Sequence, residues 1–166
     1  MDLIIDINLM YEDVPESNVK ISYIVKEGNS IKPYHSVVDP TEAFCGDQLA
    51  KIVNEANKIY IYDSPRTIDY LLTSSLVDEK KLLKKIVDIS KIYNIKPKKG
   101  KYIRMLALNT FIEKHDCALL WMLHSAQEVF KDEFYSYDTR YTVVSILRII
   151  DAIIPDRTIE DKRQAK

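Results

Sequence analysis

The stretch from Asn18 to Pro40, NVKISYIVKEGNSIKPYHSVVDP, constrains the fold more than any other part of this chain. Apolar and polar side chains alternate on both sides of Glu27-Gly28-Asn29, and a two-residue period is typical of β-strands joined by a turn. The short apolar run Leu3–Asp6 comes before it and also favours a strand. We therefore expect the chain to open with three strands that pair mainly in the antiparallel sense.

The sequence after residue 40 alternates between helical and extended patterns. Leu49, Ile52, Val53 and Ala56 form one apolar stripe, which predicts a helix between residues 41 and 58. Ile59–Asp63 then returns to a strand pattern, so the predicted order begins β-β-β-α-β. The fold class is accordingly α/β, with a mixed sheet whose opening strands are antiparallel and which is flanked by helices.

Further helices are expected in the second half of the chain. One helix is predicted over about 67–73, two amphipathic helices over 101–112 and 117–130, and a last one over Thr139–Ile154, which Pro155 ends. Residues 78–93 carry a helical stripe, but Val87–Ile89 also fits a strand, and both possibilities stay open. No low-complexity linker divides the chain, which predicts one domain over residues 1–155 and a charged, flexible tail over 156–166.

The composition argues against several classes of protein. The first ten residues carry acids where a signal peptide needs basic residues, and no apolar run reaches the roughly 18 residues that span a bilayer. Cys45 and Cys117 lie far apart without metal-ligand spacing around either, so neither a disulfide framework nor a zinc site is indicated. These features predict a cytoplasmic protein without a membrane span.

Charge is distributed unevenly along the chain, although the formal net charge is only -1. Residues 1–79 carry 6 basic and 14 acidic side chains, whereas residues 80–104 carry 10 basic and 1 acidic. Lysines follow phosphates and tyrosines stack on bases, so residues 91–104, here named the basic segment, are a candidate site for single-stranded nucleic acid. The candidate binding residues are Lys96, Lys98, Lys99, Lys101, Tyr102 and Arg104. The alternative is an ordinary solvated lysine-rich surface.

Three motifs follow one another between Asp2 and Phe130. IIDINLMYED carries Asp6 in the first strand, IYIYDSPRTIDYLL leads from a strand to Asp69 on a helix, and HDCALL begins at His115. In this order they resemble the DnaQ-like 3'-5' exonucleases of the DEDD class, and within it the RNase T-like branch of short bacterial exoribonucleases and phage exonuclease A. The resemblance implies a ribonuclease H-like fold and two divalent cations, Mg²⁺ or Mn²⁺. Four acids would hold the cations beside a histidine that orients or deprotonates water.

Two of the four acids that the resemblance implies are replaced in this chain. Asp6, Asp69 and His115 match the family's catalytic positions, and the two aspartates are its candidate metal ligands. Asn8 stands where the family has glutamate, and Leu120 stands where it has the last aspartate. A neutral amide does not compensate cation charge and leucine offers no ligand, so we expect two-metal catalysis to be severely impaired.

The sequence leaves three functions open. The favoured one is an exonuclease-like protein with impaired catalysis that binds nucleic acid or a protein partner. The second is an active metal-dependent exonuclease on RNA or single-stranded DNA, in which Asp63 substitutes for a missing ligand. The third is a protein-interaction module. Its evidence is the segment 140–154, which is apolar on more than one side and indicates either a homodimer or partner surface or a helix buried inside the chain.

Overall fold

The structure, a computed structural model, describes residues 1–9, 18–38, 46–97, 101–115, 119–132 and 138–152. The strands are β1 Asp2–Leu9, β2 Val19–Glu27, β3 Ser30–Val38, β4 Lys58–Ile61 and β5 Ile86–Asp88. The helices are α1 Gly46–Glu55, α2 Pro65–Leu71, α3 Glu79–Lys85, α4 Ile89–Ile92, α5 Lys101–Lys114, α6 Leu119–Phe130 and α7 Thr139–Ala152. The predicted opening order β-β-β-α-β is confirmed.

The five strands form one mixed sheet in the order β3-β2-β1-β4-β5. Both β1 and β3 run antiparallel to β2, whereas β1, β4 and β5 are parallel to one another. Gly28 has a φ of 57° in the turn between β2 and β3, a backbone conformation that glycine adopts without strain. The α/β class and the antiparallel opening strands predicted from the sequence are thus confirmed.

Residues 78–93 contain both of the structures that their sequence left open. Helix α3 ends at Lys85, and Ile86–Asp88 continues as the edge strand β5 beside β4. The strand ends at Asp88 because its carboxylate accepts hydrogen bonds from the backbone N–H and the hydroxyl of Ser90, at 3.0 and 2.7 Å, and so caps α4. A short strand is therefore inserted between two helical turns.

The sheet has a different core on each face, and alternation along β1 decides which side chain enters which core. Leu3, Ile5 and Ile7 belong to the core that α1 covers. Ile4 belongs to the other core, which contains residues of α5, α6 and α7. Because side chains alternate across a strand, Asp6 and Asn8 face the same side as Ile4. A carboxylate and an amide are thus placed under the helical layer, and both are buried.

Helix α7 is an internal helix. Its residues 139–147 and Ile149 are buried, and it packs on β1, β2 and α6. Contacts within the chain therefore account for the apolar residues on more than one side of this helix, although Ile153 and Ile154 lie outside the described residues. Neither α7 nor any other helix in the described ranges is both long and apolar enough to span a membrane.

Lys85 closes the carboxyl end of α1 from a distant part of the chain. Its ammonium donates hydrogen bonds to the carbonyl oxygens of Val53 and Asn54, at 3.2 and 2.7 Å. The last carbonyls of a helix lack partners within it, and a cation at this end also suits the helix dipole. We expect Lys85→Met to lower the free energy of unfolding by about 1 kcal/mol in urea titrations. Lys84→Met, at an exposed neighbouring position, is the control, and an equal effect of both changes would contradict the capping role.

Candidate functional site

A row of polar side chains crosses the face of the sheet that α7 covers. The strand register places Asp6 opposite Ser22, and Ser22 opposite His35. The Ser22 hydroxyl lies 2.8 Å from Nδ1 of His35 and 2.6 Å from the hydroxyl of Thr139, the first residue of α7. Directly opposite residues on neighbouring strands share a face, so these groups form one polar band within an otherwise apolar layer.

The Asp6 carboxylate in this band is paired with a cation from α5. Nη2 of Arg104 lies 3.1 Å from Oδ1 of Asp6, and the two side chains are 16% and 1% exposed. The same nitrogen donates a short hydrogen bond to the backbone carbonyl of Tyr62, just after β4. The guanidinium therefore joins the middle of β1 to the end of β4.

Tyr62 and Arg104 hold each other in place. The guanidinium carbon of Arg104 lies 4.6 Å from the centroid of the Tyr62 ring, within the range of a cation–π contact. In return, the Tyr62 hydroxyl donates a 2.6 Å hydrogen bond to the backbone carbonyl of Arg104. Burial raises the pKa of this hydroxyl, so it stays a neutral donor. The position of the guanidinium above Asp6 is consequently determined by three separate contacts.

Burial raises the pKa of Asp6 above its ordinary value of 3.8. The charge of Arg104 and hydrogen bonds from Arg104 and Thr142 lower the pKa, while the charge of Asp138 raises it further. Removing a carboxylate from water disfavours its ionised form, and a nearby cation favours that form. The ionised state of Asp6 in the folded chain thus depends on Arg104.

Two more carboxylates lie on the β4 and β5 side of the guanidinium. Asp63 has a φ of 40°, which is uncommon for a residue other than glycine, and its backbone N–H donates a 3.0 Å hydrogen bond to Oδ1 of Asp88. Burial raises the pKa of Asp63 and the charge of Asp88 raises it further, whereas Arg104 and Lys91 lower it. Arg104 therefore reduces repulsion at Asp63 as well as at Asp6.

A second buried charge cluster lies at the other end of the polar band, where α7 begins. Arg140 donates to both carboxylate oxygens of Asp138, from Nε at 3.0 Å and from Nη2 at 2.9 Å. Its Nη1 donates a 2.6 Å hydrogen bond to Asp132, and Lys20 lies 3.5 Å from Asp138. Burial and the charge of Arg140 lower the pKa of His35 nearby. This cluster fixes the start of α7 over the sheet.

Asp69 and Asn8 were both expected near the Asp6 carboxylate. Asn8 lies two residues after Asp6 on the same face of β1 and is 9% exposed. Asp69 is exposed on α2, whereas Thr67 on the same helix is buried and accepts a 3.2 Å hydrogen bond from the Ile7 N–H of β1. Two residues along a helix correspond to about 200° of rotation, so Asp69 lies on the opposite side of α2 from Thr67.

His115 lies at the end of α5 and does not join Asp6 in the described part of the chain. Its N–H donates to the carbonyls of Phe111 and Ile112, and its exposed ring lies 4.4 Å from the Phe111 ring. Leu120 is in α6, which packs on α5, α7 and β3, whereas the later helix α7 packs on β1. The side chain that reaches Asp6 from the last helix is accordingly Thr142.

Sequence reasoning missed the polar residues of α7. Five polar residues are buried in or just before α7, although most of this helix is apolar: Asp138, Thr139, Arg140, Thr142 and Ser145. Buried polar groups need hydrogen-bond partners, so several of them along one mainly apolar helix indicate a polar partner on the opposing surface. That signal was present in the sequence, but only the structure shows that the partner surface includes Asp6 and Ser22.

The candidate nucleic-acid-binding residues occupy different environments. Lys96 is exposed. Lys98 and Lys99 lie outside the described residues, and for Lys101 and Tyr102 the structure describes only their place in the first turn of α5. Arg104 is largely buried in its ion pair with Asp6. Of the six candidates, Lys96 is thus the one that the structure shows on the surface.

The described residues do not fit the two divalent cations that the resemblance implies. Within the described ranges, no three His, Cys, Asp or Glu side chains are grouped so that they could hold a metal ion. The Asp6 carboxylate accepts a hydrogen bond from the guanidinium of Arg104 instead. A guanidinium supplies positive charge, but it has no coordination position for water and does not lower the pKa of a bound water as a metal does.

Comparisons with known proteins find no relative of this chain. It matches no protein-family model, no curated protein and no solved structure. The resemblance to DnaQ-like exonucleases therefore stays a prediction. A fold does not establish an activity by itself, so the function has to be inferred from the chemistry of the site.

Proposed function

We propose that this chain is a DnaQ-like protein with a ribonuclease H-like fold that does not hydrolyse nucleic acid and instead binds single strands. The observation that carries this proposal is the buried ion pair between Arg104 and Asp6. The mixed sheet with antiparallel opening strands and the position of Asp6 in its first strand support the choice of fold. Asn8 and Leu120 at the two replaced positions support the loss of hydrolysis.

Arg104 takes over the electrostatic role that divalent cations have in a two-metal nuclease. Clustered carboxylates repel one another and resist burial, and a cation among them relieves both effects. In this chain the cation is a side chain whose charge opposes the rise that burial causes in the pKa of Asp6 and of Asp63. An arginine is always protonated and remains attached to the chain, so it stabilises the acids without activating water.

The binding part of the proposal rests on charge. Residues 80–104 carry 10 basic and 1 acidic side chains, and within them Lys80, Lys81, Lys84, Lys91 and Lys96 are exposed. Lysines that neutralise phosphates release counterions, so the affinity for a single strand should fall with salt by a slope of roughly 0.7 per phosphate contacted. A partner protein that recognises this surface by other means would not show that slope.

The decisive measurement uses end-labelled single-stranded RNA and DNA with Mg²⁺ or Mn²⁺. We expect no shortening from the 3' end by the wild-type chain, and binding that weakens as salt is raised. The Asp6→Asn chain is the control, because a neutral amide of similar shape removes the negative charge that a two-metal site at Asp6 would require.

Each other outcome selects a different function. Metal-dependent shortening that disappears in Asp6→Asn would show an active exonuclease, and Asp63→Asn would then test the substitute ligand. The absence of both cleavage and salt-dependent binding would refute the nucleic-acid proposal. The protein-interaction module would then be the remaining function.

A further inference from the structure

A groove on the outer side of α5 lies apart from the Asp6 ion pair. It has a volume of about 410 Å³ and lies between the chain around Ile95 and Lys96 and the α5 residues Leu106, Thr110, Phe111 and Lys114. Met105, Leu108 and Ile112, which belong to the buried core, occupy the opposite side of the same helix. The volume lies within the range of small-ligand sites.

The floor of the groove is apolar and aromatic. Leu106 is 63% exposed, which is the highest value for a large apolar side chain among the described residues. The Phe111 ring is contacted by Tyr93, with centroids 5.8 Å apart in an edge arrangement, and by His115 at 4.4 Å. Neighbouring rings restrict the movement of Phe111, so the groove offers a fixed aromatic surface.

The rim of the groove is basic. Lys96 and Lys114 both line it and both are exposed, whereas no acidic side chain is among its lining residues. Asn94 and Thr110 add hydrogen-bonding groups at the same rim. A flat apolar group with anions nearby is the ligand chemistry that matches such a surface, and a nucleobase with its flanking phosphates has that chemistry.

We infer that this groove receives one nucleobase of a single-stranded nucleic acid, with phosphates on Lys96 and Lys114. The inference rests on the proposed function and specifies where the strand lies. It also assigns roles to two residues that the sequence singled out. Lys96 of the basic segment contacts phosphate, and His115 supports the Phe111 ring from the end of α5. Asn94 and Thr110 are the groups positioned to contact the edge of the base.

A charge inserted into the groove tests the inference with little risk to the fold, because Leu106 is already exposed. We expect Leu106→Glu to weaken binding of fluorescent oligouridylate roughly tenfold, since the new carboxylate repels phosphates and displaces the base. Leu76→Glu is the matched control, because Leu76 is 55% exposed, lies outside the groove and precedes the basic residues 80–104. Equal effects of Leu106→Glu and Leu76→Glu would overturn the inference.

Two further readouts separate stacking from charge. Phe111→Leu should weaken binding to oligouridylate but not to an abasic strand of equal length, because only the base stacks on the ring. Lys96→Gln and Lys114→Gln should each reduce the salt slope by roughly 0.7. Tyr34→Leu, at an exposed aromatic residue of β3, is the control and should change neither the affinity for oligouridylate nor the salt slope. Thermal unfolding of each variant shows that the fold is retained.

The outcomes distinguish the groove from the wider proposal. If the wild-type chain binds single strands and the groove variants behave like their controls, the strand lies elsewhere and the proposed function stands. If the wild-type chain binds no single strand, both the proposed function and the groove assignment are refuted. Equal affinity of the wild-type chain for oligouridylate and for the abasic strand would likewise overturn the base site.

Discussion

Replacing Arg104 by methionine should lower the free energy of unfolding by about 3 kcal/mol at neutral pH, because the buried Asp6 carboxylate would lose its cation. Guanidinium chloride titrations of the wild-type and Arg104→Met chains measure this difference. Arg66→Met, at an exposed arginine on α2, is the control and should have a small effect.

The pH dependence of the stability difference between the wild-type and Arg104→Met chains identifies the Asp6 carboxylate as its cause. Asp6 already has a raised pKa in the folded chain, so its contribution to stability decreases as the pH rises from 3.8 through the folded-state value. Without Arg104 that pKa would rise further. The difference between the two chains should therefore shrink as the pH falls through the raised pKa of the variant, because a protonated Asp6 needs no cation.

A second variant separates loss of pairing from loss of packing. Asp6→Asn combined with Arg104→Met removes both charges and should be more stable than Arg104→Met alone, because no buried charge is left unpaired. If the double variant is as unstable as the sum of the two single variants, the ion pair is not the source of the effect. The short hydrogen bond from Arg104 to the Tyr62 carbonyl would then be the contact to test.

Replacing Asp138 by asparagine should lower the free energy of unfolding by about 3 kcal/mol, because Arg140 would lose its bidentate partner in a buried position. Asparagine remains a good helix N-cap, so this change isolates the charge from the hydrogen bond that Asp138 accepts from the Arg140 N–H. Asp138→Ala should cost about 1 kcal/mol more, because the cap is lost as well. Chemical unfolding measures both differences.

A control at Asp132 and the pH dependence of stability both test whether the Asp138 ion pair causes the effect. Asp132→Asn removes the other carboxylate on Arg140, but Asp132 is 64% exposed and solvent screens its charge, so the effect should be small. Burial alone would raise the pKa of Asp138, but the hydrogen bonds and the charge of Arg140 outweigh burial and lower it below 3.8. The stability from Asp138 is thus complete above about 3.8 and is lost as the pH falls through the folded-state pKa. If Asp138→Asn still lowers the free energy of unfolding at pH values below the folded-state pKa of Asp138, the ion pair is not the cause.

Much of the fold could be predicted because its signals are local. The alternating pattern on either side of Gly28 predicted the β2 and β3 strands and the turn between them. The last helix was predicted to begin at Thr139, where the structure has α7 begin. Each pattern repeats within a few residues. Burial of the apolar side chains in that pattern therefore favours a strand or a helix without reference to distant parts of the chain.

The candidate site could be predicted only in part. Asp6 was identified from its strand, and its burial follows from the alternation along β1. The exposed position of Asp69 depends on the rotation of α2, which the contact of Thr67 with β1 determines. The distant cation could not be anticipated either, since Arg104 lies 98 residues from Asp6 and looked like a phosphate-binding member of the basic segment.

The sequence by itself determined the strand order along the chain, the apolar helix at its end and the surplus of positive charge before residue 104, because each depends on residues close together in the chain. Only the tertiary structure decided that α7 covers Asp6 and that Arg104 neutralises it. Both depend on how helices far apart in sequence pack on one sheet, where burial makes an unpaired carboxylate costly and a nearby guanidinium stabilising.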